Sequence, residues 1–179
     1  MQGRKIKNVL ASTLGNAKFG DLKLPFACVA TDIETGEEVV IKKGLVREGL
    51  IASASIPVLF PPVEWQGRYL VDGSLVNPVP VSVVKEMGAD FIIAVNVIPD
   101  TAKNHQANKE PNIFNVTLHT LHIASHRLVE YSLNGADVVI EPEVADIGQF
   151  DFHRFQESFL QGQAAAQASI PEIKQKLHL

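Results

Sequence analysis

One aspartate stands where chemistry is often done. In "GRYLVDGSLVNPVPV" the apolar run Tyr69-Leu70-Val71 reads as a short buried strand, and it ends at once in Asp72 and Gly73. A carboxylate at the end of a buried strand costs free energy unless it is paired, and a glycine behind it lets the backbone turn where other residues cannot. At the carboxyl end of a strand, such a group can accept a proton from a nucleophile or orient a base. The same side chain could equally close an Asx turn or cap a helix. Spacing leaves these readings level. Asn77, before Pro78, reads as a turn residue.

Other residues compete less well. His119, His122 and His126 fall at i, i+3 and i+7, within about 60° on a helical wheel, with Glu130 nearby. Imidazoles so spaced can ligate a metal, but three ligands from one helix make a poor tetrahedral site. Phe114, Leu118, Leu121, Leu128 and Tyr131 lie on the other side of the wheel, so the histidine face is expected to be solvated and metal-free. Asp32 and Glu34 in "ATDIETGE" flank a turn, where acidic residues are common. Ser53 and Ser55 in "ASASIP" have no base near them in sequence and are weak candidates for a nucleophile. Neither a Gly-rich phosphate loop nor a dinucleotide fingerprint is present.

These residues need a frame. With 179 residues the chain can form one domain with a sizeable core, residues 1–179, without interdomain linker or repeat. Hydrophobic content of 46% with 20% charged residues is ordinary for a globular α/β protein. A net charge of -4 argues against a general nucleic-acid binder. The single cysteine, Cys28, sits in the apolar run "PFACVAT" as a small hydrophobe. No apolar stretch reaches the roughly 18 residues of a membrane span, and the start "MQGRKIKN" has no signal-peptide core. The early cations Arg4, Lys5, Lys7, Lys18 and Lys23 read as a solvated segment. The expected location is cytoplasmic or peripheral to a membrane.

The pattern predicts a helix through Leu14, then two strands in "KLPFACVATDIETGEEVVIKKG" joined as a hairpin by "ETGEE". "LVREGLIASASIP" is a small-residue helix stopped by Pro57, "VLFPPVEWQG" a proline-fixed loop, and "RYLV" a strand. "PVSVVKEMG" is a helix stopped at Gly88. "ADFIIAVNV" is nearly all apolar, the signature of a parallel strand buried on both faces. A polar stretch, Asp100–Asn112, is long enough for a surface loop. A helix from Ile113 to Asn134 stops at Gly135, "ADVVIEP" is another buried strand, and the tail from Phe150 is helical, kinked or restarted at Pro171. The alternation predicts an α/β protein with a largely parallel, sandwiched sheet.

The stretch "LIASASIPVLFPPVEWQGRYLVDGSLVNPVPV" resembles the patatin-like phospholipase family in its bacterial form. The resemblance begins near "FGDLKLPFACVATDIETGEEVVI", continues through "GADFIIAVNV" and reaches "IGQFDFHRFQESFLQGQAAA". It implies a three-layer α/β/α fold and hydrolysis of acyl esters in lipids by a Ser–Asp dyad, without cofactor or metal. The family's serine lies on a G-x-S-x-G elbow, and a Gly-rich loop donates backbone N–H groups to the oxyanion. Of these parts only the aspartate maps here, as Asp72 with Gly73; Ser74 replaces the alanine or glycine of the D-G-A/G motif. No G-x-S-x-G occurs in the sequence. The resemblance therefore implies a chain that supplies the aspartate of an acyl hydrolase acting on a lipid or acyl-ester substrate. The sheet is then incomplete on its N-terminal side, Met1 is internal to a longer reading frame or the chain is a fragment, and the missing half or a homodimer completes it. The alternative is an inactive fragment or lipid-binding module. Peripheral contact with a membrane, and a lid formed by 100–112, are further expectations.

Overall fold

The computed structural model describes residues 2–98, 112–148 and 151–179. The polar stretch singled out above lies outside the described residues, Asn112 excepted. The chain divides into two compact units, one made of Met1–Pro78 with Ile113–Leu121 and the other of Val79–Asn112 with His122–Leu179.

The first unit opens with α1 (Gln2–Leu14) and is built on four strands, β1 (Cys28–Asp32), β2 (Glu38–Ile41), β3 (Val63–Trp65) and β4 (Arg68–Asp72), with α2 (Val46–Ser53) between β2 and β3. The strands form one sheet in the order β2-β1-β4-β3, and every pairing in it is antiparallel. The mixed α/β class is as expected, but the largely parallel sheet is not what forms here. The turns explain two of the three pairings, β1 with β2 and β3 with β4. Asp32 Oδ1 accepts from the amides of Glu34 and Thr35 and folds β1 directly back onto β2. Between Trp65 and Arg68 only Gln66 and Gly67 intervene, both at positive φ (51° and 78°), a two-residue hairpin turn of the primed kind. Connections this short permit only antiparallel neighbours. They also correct the reading of "VLFPPVEWQG" as loop throughout, since its Val-Glu-Trp is β3.

Phe19, Cys28, Ala30, Ile41, Val46, Ala52 and Leu70 form the core of this unit. Gly49 on α2 lets the helix close on it, because a Cβ there would sit 2.7 Å from the ring of Phe19. All five residues of β1 are buried, so the central strand is covered on both faces. Burial pushes the Cys28 thiol up to about 11, which keeps it protonated and unreactive at neutral pH.

The second unit contains α3 (Val81–Glu86), β5 (Ile93–Val95), β6 (Val138–Ile140) and α5 (Phe155–Lys176), together with the C-terminal half of α4 (Ile113–Ser132). Gly88 and Gly135 take φ of 92° and 91° after α3 and α4, as helix stops do. β5 and β6 pair in parallel, Ile93 opposite Val138 and Val95 opposite Ile140. The parallel reading therefore holds for this pair. Its core holds Val79, Val81, Ile92 and Ala94, while the Asp137 carboxylate accepts from the Ile92 amide at 2.7 Å. On the other face of β5 Ile93 and Val95, with Val97 just beyond the strand, are 44%, 51% and 60% exposed among the described residues. α5 runs through Pro171 without a break.

Candidate active site around Asp72

β4 and β1 bring Asp72 to its place. Asp72 lies opposite Ala30 in the antiparallel register, beside the most buried strand of the unit. Its backbone is held from two directions. The Asp72 amide donates to the Ser55 carbonyl at 3.0 Å, tying the end of β4 to the chain leaving α2. The Thr31 hydroxyl of β1 donates to the Asp72 carbonyl at 2.8 Å. The side chain is half-buried, and its Oδ1 accepts from the Ser74 amide at 2.8 Å as the cap of a single 3-10 turn over Gly73–Leu75. Among the described residues Oδ2 makes no hydrogen bond. The Asx-turn reading is thus what the structure shows, with one oxygen fixing the carboxylate's orientation and the other making no hydrogen bond among the described residues.

Gly73 is required by contact and not by dihedral freedom. A Cβ at this position would lie 2.3 Å from the Val29 carbonyl oxygen and 2.7 Å from its carbon. Only a residue without a side chain lets the 3-10 turn press against β1. Asn77 is more than a turn residue, being 8% exposed, with its Nδ2 donating to Glu38 Oε2 at 3.0 Å on β2. Sequence reasoning missed Thr31 and the Asn77–Glu38 pair. A threonine within a buried strand was the available signal for the first; the second is a contact between residues 39 apart.

The remaining candidates resolve as follows. Asp32 builds the β1–β2 turn, with Arg68 3.5 Å from its Oδ2, and Glu34 is exposed on that turn. Ser55 is 2% exposed and its hydroxyl donates to the Ile51 carbonyl at 2.6 Å, a helix-end contact that leaves no aligned nucleophile. Ser53 ends α2.

On α4 the expected faces hold only in part. Leu118 is buried, Leu121 and Leu128 are half-buried and His119 is exposed, as expected, but Ser125 and Val129 are also buried, His122 and His126 are half-buried, and Phe114 and Tyr131 stand out at 40% and 80% exposure. Apolar residues are spread around this helix, so its own pattern fixes no face and packing decides. Among the described residues no group of three His, Cys, Asp or Glu side chains is placed to hold a metal ion.

The strand–Asp–Gly corner thus sits on an α/β framework, and comparison with known proteins shows what the chain is similar to. Residues 1–85 match the family model described as patatin-like phospholipase. An NTE family protein of Mycobacterium tuberculosis is 30% identical over 113 residues, covering 63% of this chain and 31% of that protein. A second from the same strain is 25% identical over 190 residues, covering 94% of this chain and 33% of its own length. Lysophospholipase NTE1 of Debaryomyces hansenii is 25% identical over 174 residues, covering 85% of this chain and 11% of that enzyme. Over these residues the chain is similar to the patatin-like phospholipase family. It spans about a third of the length of the mycobacterial relatives.

Proposed function

We propose that this chain is the aspartate-bearing part of a patatin-like domain that hydrolyses acyl esters of lipids. Asp72 accepts the proton of a serine carried on another segment of polypeptide, in cis or in trans. The observation that carries this reading is the divided use of the Asp72 carboxylate, Oδ1 locked by the Ser74 amide and Oδ2 uncommitted, on a corner that tolerates only glycine behind it. In acyl transfer such a base removes the hydroxyl proton as oxygen attacks the ester carbonyl, and returns it to the leaving alkoxide. The uncovered face of β5 supports the need for a further polypeptide. A near-continuous apolar strand is expected to be covered on both sides, yet Ile93, Val95 and Val97 are not. The substrate class follows from the family, and the lysophospholipase name of the Debaryomyces relative lies within it.

The test is Asp72→Asn in this chain combined with a serine-bearing segment from a longer relative, read as hydrolysis of a short-chain nitrophenyl ester. Asparagine retains the cap to Ser74 but accepts no proton. Activity is expected to fall at least about 100-fold with an unchanged thermal transition. Activity retained within a few-fold would overturn the assignment. The second reading, an inactive or lipid-binding module, is favoured by the absence of a G-x-S-x-G in these 179 residues. It predicts lipid association that survives Asp72→Asn and no hydrolysis in either form.

A further inference from the structure

A concavity of the first unit is lined by residues other than the aspartate. It has a volume of about 870 Å³, and Asp72 is not among its lining residues. Its walls are α1, the loop between β2 and α2, α2 itself and the β3 hairpin. Three cations line it, Lys7 from α1, Lys43 from the loop and Arg47 from α2.

This cluster runs against the charge of the whole chain, which is -4. Two carboxylates share the wall, Glu48 and Glu64, but neither forms an ion pair with any of the three cations among the described residues. Arg47 is oriented and not free-swinging: its Nη1 donates to the Gly15 carbonyl and, at 2.8 Å, to Asn16 Oδ1. Its Nε and Nη2 make no hydrogen bond among the described residues and remain as donors. A planar guanidinium held on one side presents its other donors in a fixed direction, the arrangement that suits a phosphate.

The lining also holds an aromatic ring. Trp65, at the end of β3, lies over Gly44 in the loop that carries Lys43; a Cβ on Gly44 would sit 3.1 Å from the indole, and the residue adopts φ of 86°. The ring is thus seated next to the cations by a glycine that no other residue replaces without strain. A groove with one apolar wall and a few convergent charged donors has the character of a small-ligand site.

We propose that this groove binds a phosphate-bearing ligand, its anionic group held by Lys7, Lys43 and Arg47 and its carbon body laid against Trp65. This stands independently of the hydrolase reading, since it uses none of the residues around Asp72. Two sources carry the chemistry, a free phosphate ester and the headgroup of an anionic lipid.

Trp65 is the only tryptophan of the chain, so intrinsic fluorescence reports on the groove alone. The experiment titrates the 179-residue chain with glycerol phosphate and, separately, with phosphatidic acid vesicles against phosphatidylcholine vesicles of equal lipid content, all at constant ionic strength. A saturable change with glycerol phosphate identifies the free ester. A change only with phosphatidic acid vesicles identifies the headgroup. In either case Lys7→Gln combined with Lys43→Gln is expected to weaken the midpoint at least about 10-fold, and raising salt to weaken it further. Arg47→Lys, which keeps the charge but loses the planar donors, is expected to weaken it several-fold, with a thermal transition like that of the parent. No saturable change with either probe overturns the proposal. So does a response that the double lysine variant leaves unaltered, or one that phosphatidylcholine reproduces.

Discussion

The two units solve the same packing problem to different extents. In the first, β1 is flanked by a strand on each side and all five of its residues are buried. In the second, β5 buries Ala94 and leaves Ile93 and Val95 largely in water, although its sequence is as apolar as that of β1. An apolar strand is a demand for cover, and the local connections decide who supplies it. Hairpin turns at Asp32 and at Gln66-Gly67 bring neighbours to β1 and β4 from within a few residues. A parallel pair needs a helical crossover and further elements to close it, and the described residues give β5 only β6. The motif-bearing corner belongs to the covered sheet, where the carboxylate can be held in one orientation.

That contrast is most strongly tested by paired truncations. Leu70→Ala, at a wholly buried position of β4, is expected to cost about 2–5 kcal/mol, whereas Ile93→Ser on the uncovered face of β5 should cost under about 1 kcal/mol. Urea midpoints of both variants decide it. Equal losses would mean that the face of β5 is covered in solution. Gly73→Ala comes next, with an expected loss of roughly 3 kcal/mol from the clash with the Val29 carbonyl. A midpoint unchanged within 0.5 kcal/mol, about the scatter of surface substitutions, would remove the steric reason for the Asp-Gly pair.

The smallest effect lies at the start of α5. Hydrogen bonds from the Arg154 guanidinium hold the carboxyls of Asp146 and Glu157 below their usual range. Groups with depressed values in the folded state stabilise it above their unfolded values, and that contribution is lost as pH falls through the folded ones. Amide protection factors over the first turn of α5, measured against the intrinsic exchange rate at each pH, should therefore stay constant from neutral pH to about pH 4 and fall only below it. Arg154→Gln should abolish the step. The Asp146 side chain is exposed and that of Glu157 about half exposed, so screening by salt should shrink it.

The sequence showed the Asp-Gly corner, because the constraint that makes glycine obligatory acts on neighbouring backbone and leaves a short string. It also showed the parallel pairing of β5, whose residues are apolar without alternation. It hid β3, a strand of three residues after Pro61 and Pro62, although Gln66-Gly67 was a turn signal in plain view. The antiparallel sheet was hidden for a subtler reason: β1 is buried on both faces and so carries the same uninterrupted apolar pattern as a parallel strand. α4 was legible only in part: Leu118 is buried and His119 exposed as its pattern implies, but its apolar residues encircle it, and packing buried Ser125, half-buried His122 and His126 and left Tyr131 exposed. The groove beside Trp65 was not legible at all, since it joins residues from four separate elements.

The role proposed for Asp72 makes this chain the source of a base and not of a nucleophile. Intact mass after incubation with a fluorophosphonate, which modifies activated serines, decides between the two. The mass of the 19.5 kDa chain is expected to stay unchanged, whether alone or mixed with a serine-bearing segment, with the adduct appearing on that segment only when Asp72 is intact. An adduct on the 19.5 kDa species itself would overturn the proposed role, since one of this chain's own serines would then be the nucleophile.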